Sequence, residues 1–185
     1  MINYESVDSP FYAANKNYCE AIENKLKNIN LNCSGFCNSY GYEIETSFLK
    51  NNSTYNIKFL KFQSTQNGVV LPVDAHDYTG TELSITGLNK KIMIVVGKSA
   101  WIRFFNSKKY KKYLPTPFYI KFSYTPGESF LEIFSKKILT NNISTLKVSK
   151  GTLNCKIHMA AADPISLITD MEMIINNRNT SLNIT

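Results

Sequence analysis

Apolar residues recur at every third or fourth position in three segments of the chain, which is the spacing of one buried helix face. Each segment begins with a residue that can cap a helix, followed by a proline suited to the first helical position: Ser9-Pro10, Thr125-Pro126 and Asp163-Pro164. In the second segment, Glu128 also completes a Thr-x-x-Glu capping box. We therefore predict three capped helices, the first running to about residue 29. Their apolar faces consist of Phe11, Ala14, Tyr18, Ile22, Leu26 and Ile29; of Phe130, Phe134 and Ile138; and of Leu167, Ile168, Met171, Ile174 and Ile175.

Between these helices, apolar and polar residues alternate, which is typical of strands that bury one face. The alternating segments come in pairs separated by turn residues, so we predict three β-hairpins. Their strands are residues 42–48 with 55–59, residues 82–86 with 92–96, and residues 146–148 with 153–159. A further strand is predicted over residues 118–124.

Two irregularities interrupt the alternation. The apolar phase moves from Phe59 to Leu60 and Phe62, which we interpret as a β-bulge. Residues 92–96 are apolar without a break, which indicates a strand covered on both faces.

Strands joined mostly by hairpins favour an antiparallel sheet. We therefore predict an α+β fold, in which a mainly antiparallel sheet built from hairpins carries three capped helices. No linker divides the chain, so we expect residues 1–176 to form a single domain and the polar residues 177–185 to form a frayed tail.

The composition bears on the location of the protein. Of the 185 residues, 43% are hydrophobic, which is enough for a sizeable core. The longest apolar stretch is far shorter than the roughly 18 residues that span a bilayer, and the N-terminus MINYESVDSP does not resemble a signal peptide. We expect a cytoplasmic protein with no transmembrane segment, whose four cysteines are reduced.

The best catalytic candidates are Asp74, His76 and Asp77, which are close together in the segment LPVDAHDYTGT. They could supply two metal ligands, or a base with its orienting acid. A catalytic zinc site needs a third protein ligand, which would have to come from far away in the chain. The alternative is a polar turn in which the aspartates bind backbone amides, and such turns are far commoner.

Two cysteine spacings resemble halves of a zinc motif, Cys155-x-x-His158 and Cys33-x-x-x-Cys37. On a strand, however, residues three apart point to opposite faces, so Cys155 is expected inside and His158 outside. A shared metal is therefore not predicted. Phosphate-binding and dinucleotide-binding glycine motifs do not occur in the sequence, and we predict no cofactor.

Positive charge is concentrated in one part of the chain. Between Glu82 and Glu128 there is no Asp or Glu, whereas the rest of the chain carries twelve Lys and Arg against fourteen Asp and Glu. The formal net charge of +7 therefore comes from this segment. A general bias toward lysine would spread evenly, so the clustering predicts a basic surface region. Its charges are Lys90, Lys91, Lys98, Arg103, Lys108, Lys109, Lys111, Lys112 and Lys121.

The simplest interpretation of this segment is a solvated face whose aromatic residues pack inward. Our leading hypothesis is a non-catalytic interaction module whose basic face, residues 90–121, contacts an acidic protein or polyanion. The residues expected to make that contact are Lys98, Arg103, Lys108, Lys109, Lys111 and Lys112. One alternative is the enzyme centred on Asp74, His76 and Asp77. Another is binding of single-stranded nucleic acid, which requires exposed rings at Trp101, Phe104 and Phe105. The sequence indicates no oligomeric state.

Overall fold

A computed structural model describes residues 1–5, 10–62, 65–66, 69–70, 78–89, 92–98, 110–115, 117–158 and 163–176. Its helices are α1 (Pro10–Lys27), α2 (Glu128–Thr140) and α3 (Pro164–Asn176). Its strands are β1 (Ile2–Tyr4), β2 (Cys33–Asn38), β3 (Gly41–Lys50), β4 (Ser53–Phe62), β5 (Thr65–Gln66), β6 (Val69–Val70), β7 (Tyr78–Thr86), β8 (Ile94–Lys98), β9 (Phe118–Phe122), β10 (Ile143–Ser149) and β11 (Thr152–Ile157).

Nine strands form one sheet in the order β1-β2-β3-β4-β7-β11-β10-β8-β9, and β5 pairs with β6 separately. Neighbouring strands are antiparallel except β1 and β2, which are parallel. The predicted α+β class, a mainly antiparallel sheet with three helices, is confirmed.

Two of the predicted hairpins are present, and their turns explain why. Asn51 and Asn52, between β3 and β4, both have positive φ, 51° and 61°. Lys150 and Gly151, between β10 and β11, have φ of 52° and 74°. Positive φ at both central residues gives a two-residue turn whose twist matches that of the flanking strands.

The predicted hairpin between residues 82–86 and 92–96 is wrong. The first segment lies in β7, which pairs with β4 and β11, whereas the second lies mostly in β8, which pairs with β10 and β9. The β10–β11 hairpin is inserted between them in the sheet. Alternation within a strand indicates which face is buried and does not identify the partner strand.

The two predicted irregularities are also corrected. β3 and β4 pair without a register shift from Gly41 opposite Phe62 to Lys50 opposite Ser53, so there is no bulge at Phe59. Leu60 and Phe62 instead point to the other face of the sheet. In β8, Ile94 is buried but Val95 is only partly covered, so this strand is fully covered on one face alone.

The predicted helix caps have different outcomes. At α3, the prediction is confirmed, since the backbone N–H of Ile165 donates to Oδ1 of Asp163 at 3.0 Å. The predicted Thr125–Glu128 capping box of α2 is wrong, because Gly127 occupies the N-cap and no side chain caps the helix. Ser9, the expected cap of α1, lies outside the described residues.

The buried face of α1 differs in part from the predicted one. Asn15, Cys19, Ile22 and Leu26 are buried, whereas Phe11 is 54% exposed. Asn15 explains the shift, because its side-chain amide donates to the carbonyl of Asn38 at 2.9 Å and its oxygen accepts from Nζ of Lys61 at 2.9 Å. A polar residue can be buried when both ends of its amide are bonded.

All three helices pack on one face of the sheet and share a single hydrophobic core. It joins Leu26 of α1, Phe134 of α2 and Met171 of α3 to inward residues of the strands such as Ile57 and Leu153. No helix among the described residues is both long and apolar enough to cross a membrane. The single domain over residues 1–176 remains a prediction, and the predicted tail 177–185 lies outside the described residues.

Candidate anion-binding surface on the open sheet face

The sheet face opposite the helices carries mostly polar side chains that are partly or fully exposed, and we call it the open face. Along each strand, its residues alternate with those that point into the core. The open face includes Glu43, Glu45, Asn56, Lys58, Glu82, Ser84, Asn154, Lys156, Lys147, Val95, Gly97, Tyr119 and Lys121.

The structure describes only part of the predicted basic face. Lys98, Lys111 and Lys112 are described, and all three are exposed. The remaining predicted contacts, Arg103, Lys108 and Lys109, lie outside the described residues, as do the rings of Trp101, Phe104 and Phe105. The catalytic candidates Asp74, His76 and Asp77 lie outside them too.

Lys112 is already engaged by an acidic group. Its Nζ lies 2.9 Å from Oε1 of Glu128, at the start of α2, and 4.7 Å from the ring centre of Tyr113. The Lys112 ammonium lowers the pKa of the Glu128 carboxyl. Lys98 makes a cation–π contact, with Nζ 4.9 Å from the ring centre of Phe118. Of these three lysines, Lys111 therefore offers the least compensated charge.

The cysteines do not form a metal site with His158. Cys155 is buried in the core and His158 is exposed, as the period of two predicts. Cys33 and Cys37 lie on β2, four strand spacings or about 19 Å from β11. Within the part of the chain that the structure describes, no three His, Cys, Asp or Glu residues are placed to hold a metal ion.

Opposite charges alternate across the centre of the open face. Glu45, Lys58, Glu82 and Lys156 are direct cross-strand neighbours on β3, β4, β7 and β11. The ammonium of Lys58 forms ion pairs with the carboxylates of Glu45 and Glu43, and its Nζ lies 3.4 Å from Oε1 of Glu43. Nζ of Lys156 lies 2.6 Å from Oε1 of Glu82. Hydrogen bonding to Lys58 lowers the pKa of Glu45. These carboxylates are compensated, so the centre of the open face carries little net charge.

The end of the open face formed by β10, β8 and β9 is different. Lys147 on β10 and Lys121 on β9 are both opposite Val95 on β8, and both are exposed. Neither lysine has an ion-pair partner among the described residues. Two uncompensated ammonium groups therefore lie on one face, two strand spacings or about 10 Å apart along the hydrogen-bonding direction.

Tyr119 lies beside these lysines because β8 has a glycine opposite it. A Cβ atom on Gly97 would lie 2.6 Å from the Tyr119 hydroxyl oxygen and 2.7 Å from two ring carbons. Only the missing side chain allows the Tyr119 ring to lie over Gly97. Tyr119 is partly exposed, and it lies two residues from Lys121 on the same face of β9. We call Tyr119, Lys121 and Lys147 the basic patch.

Packing on the other side of the sheet holds the basic patch in place. The Phe122 ring of β9 lies 5.6 Å from that of Phe134 on α2 and 5.7 Å from that of Tyr110. Lys147 is flanked by the fully buried Leu146 and Val148. Because side chains alternate along a strand, these inward anchors direct Tyr119, Lys121 and Lys147 outward.

A row of small polar residues continues the line of the two lysines. Ser47, Asn56, Ser84 and Asn154 are cross-strand neighbours on β3, β4, β7 and β11, and Asn154 is opposite Lys147. We call these four residues the polar row. Their side chains make no hydrogen bond within the described part of the chain. Together with Lys147, Val95 and Lys121, the polar row forms a line that crosses seven strands and is about 29 Å long.

Shallow depressions follow this line. One of about 370 Å³ is lined by Glu45, Ser47, Asn56 and Lys58, and another of about 140 Å³ by Asn56, Lys58, Glu82, Ser84 and Asn154. The shared residues make them neighbours on the open face.

Comparisons with known proteins add no assignment. No family model matches the chain, and no curated protein or solved structure matches it either. A function has to be argued from the geometry of the open face.

Proposed function

We propose that this protein is a non-catalytic interaction module whose basic patch binds a polyanion or an acidic partner. The observation that carries the proposal is the pair Lys121 and Lys147, two exposed ammonium groups without an ion-pair partner among the described residues, on one sheet face and on either side of β8. Around Lys121, the chain has no acidic residue over the 45 positions between Glu82 and Glu128. Such a concentration of one sign of charge attracts an oppositely charged chain.

The rest of the predicted basic face, where it is described, lies on the other side of the sheet. Lys98 ends β8 in phase with the buried Ile94 and Val96, so it lies on the helix side. Lys112 pairs with Glu128 at the start of α2. The proposed contact therefore keeps Lys121 from the predicted face of residues 90–121 and adds Lys147 from another strand.

We propose no catalytic step, because the carboxylates near the centre of the open face are held in ion pairs with Lys58 and Lys156. The enzyme centred on Asp74, His76 and Asp77 remains a prediction of the sequence alone. A cytoplasmic location also remains a prediction.

Heparin binding tests the proposal, since heparin is a polyanion without bases or protein side chains. Titration calorimetry at several salt concentrations should give an affinity that falls as salt rises. Two exposed lysine contacts at about 0.5–1 kcal/mol each correspond to a loss of about tenfold in affinity for the double variant Lys121→Gln/Lys147→Gln.

The matched control is Lys25→Gln/Lys136→Gln, which removes the same charge from exposed positions on α1 and α2, across the sheet from the patch. We expect this control to lose less than threefold in affinity. Equal losses in the two double variants would show that heparin responds to total charge, and the proposed site would be wrong.

A further inference from the structure

The basic patch contains an aromatic ring that a purely electrostatic site does not need. Gly97 leaves room for Tyr119 to lie over β8, which brings its ring onto the face that carries Lys121 and Lys147. The Tyr119 hydroxyl makes no hydrogen bond within the described residues, so no polar contact explains the position of the ring. A partly exposed ring on the same face as two cationic groups is a stacking platform of the kind used for unpaired bases.

The polar row supplies a second feature that an anion alone does not require. The amides of Asn56 and Asn154 and the hydroxyls of Ser47 and Ser84 can each donate and accept hydrogen bonds. Because they lie in line with Lys147 and Lys121, one extended chain across the strands would meet both the hydrogen-bonding groups and the cations.

We infer that the polyanion is a single-stranded nucleic acid that lies across the strands of the open face. Its phosphates contact Lys121 and Lys147, one base stacks on Tyr119, and neighbouring bases or sugars bond to the polar row. This inference rests on the proposed function, since it names the class of polyanion that the basic patch binds.

Other anionic partners would use fewer of these features. An acidic peptide or a sulfated polysaccharide can pair with the two lysines but has no base to stack on Tyr119. Double-stranded nucleic acid has its bases paired and stacked internally, so only its phosphates would reach this face. The line of about 29 Å fits an oligonucleotide of several residues, at the lower end of the range of about 4–16 nucleotides that single OB folds bind.

The test compares four fluorescein-labelled probes by anisotropy: a 15-nucleotide oligo-dT, a 15-base-pair duplex, a heparin fragment and poly-glutamate. The wild type should bind oligo-dT more tightly than the duplex. Stacking of one base is worth about 1–3 kcal/mol, so Tyr119→Leu should weaken oligo-dT binding about 5- to 150-fold. The same substitution should change heparin affinity less than twofold, whereas Lys121→Gln/Lys147→Gln should weaken both.

Two further variants separate stacking from folding. Tyr119→Phe keeps the ring and should bind oligo-dT within about twofold of wild type. Gly97→Ala keeps Tyr119 but places a methyl group where the end of its ring now lies, so it should weaken oligo-dT binding selectively. The displaced atoms belong to the far end of a side chain, so we expect this variant to fold, and a thermal melt would check this.

The outcomes distinguish this inference from the proposed function. If the Tyr119→Leu and Gly97→Ala proteins bind oligo-dT as the wild type does, or if the duplex or poly-glutamate binds more tightly than oligo-dT, single-stranded nucleic acid is the wrong ligand. Heparin binding that depends on Lys121 and Lys147 would still support the proposed function in that case. If neither heparin nor oligo-dT binds, both ideas fail.

Discussion

The two faces of the sheet should respond very differently to substitution, and adjacent residues of β4 provide a matched pair. Ile57 is fully buried between Thr46 of β3 and Leu83 of β7. Asn56, the residue before it, lies on the open face and makes no side-chain hydrogen bond among the described residues. Replacing each by alanine therefore tests the orientation of the strand and the accessibility of the open face.

The expected magnitudes differ by several kcal/mol. Ile57→Ala removes three carbon atoms from a central strand that is held by neighbours on both sides, so the cavity cannot collapse and the cost should be about 3–4 kcal/mol. Asn56→Ala removes an amide that contacts solvent, and its effect should stay within about 0.5 kcal/mol. With a urea dependence of about 2 kcal/mol/M, the midpoint should fall by about 1.5–2 M for Ile57→Ala and by no more than about 0.3 M for Asn56→Ala.

Urea unfolding followed by far-ultraviolet circular dichroism measures both midpoints. Ile57→Val, expected to cost about 0.5–1.5 kcal/mol, gives a graded value if Ile57→Ala is too unstable to measure. Equal destabilisation by Asn56→Ala and Ile57→Ala would refute the reasoning, because it would mean that the polar row is part of a buried interface.

Three other predictions concern thiols, a helix cap and pH. Burial raises the pKa of the Cys155 thiol to about 12, and the other three cysteines are also buried with raised pKa values. A thiol reagent should therefore label all four cysteines only after denaturation. Rapid labelling of the native protein would contradict the described packing. Asp163→Ala should lower the stability by about 1 kcal/mol in a thermal melt, because Ile165 loses its cap, while Asp163→Asn should retain most of it; an asparagine variant as unstable as the alanine variant would rule out the cap. Hydrogen bonding to Lys58 lowers the pKa of Glu45 in the folded state. The Glu45–Lys58 pair therefore contributes its full stability above the ordinary glutamate pKa of about 4.3, and this stability is lost as the pH falls from there toward the lowered pKa. Lys58→Gln should flatten the pH dependence of the unfolding free energy in that range, and an unchanged pH profile would show that the pair does not contribute.

Local signals in the sequence predicted those parts of the fold that are built locally. The turn at Asn51 and Asn52 defined the β3–β4 hairpin because few residues tolerate positive φ at two successive positions. Asp163 and Pro164 located the start of α3 for a similar reason. At α2 the same kind of signal failed, since Glu128 pairs with Lys112 instead of closing a capping box.

Long-range pairing was not predictable in the same way. The separation of β7 from β8 depends on the β10–β11 hairpin, which comes about 50 residues later in the chain and inserts between them. Strand β2 was missed because CSGFCN contains glycine and asparagine, which strands usually avoid. It is held in place by its pairing with β1 and β3 and by α1, which packs against it.

The candidate site shows the same limit. The excess of charge around Lys121 was visible in the sequence, and the apolar neighbours of Lys147 place it on the outward side of its strand. Strand order and register place both lysines opposite Val95 and bring Tyr119 over Gly97, and neither can be read from the sequence. A charge cluster in the sequence therefore suggests a type of partner, whereas the residues proposed here to contact it are found together only through the sheet pairing.

The most direct test of the proposed basic patch is the titration of isotope-labelled protein with a short heparin oligosaccharide, followed by the chemical shifts of backbone amides. We expect shift changes concentrated at Gly97, Tyr119, Lys121 and Lys147, and fading toward α1 and β1. Changes confined to the helix side of the sheet, with those four residues unaffected, would contradict it.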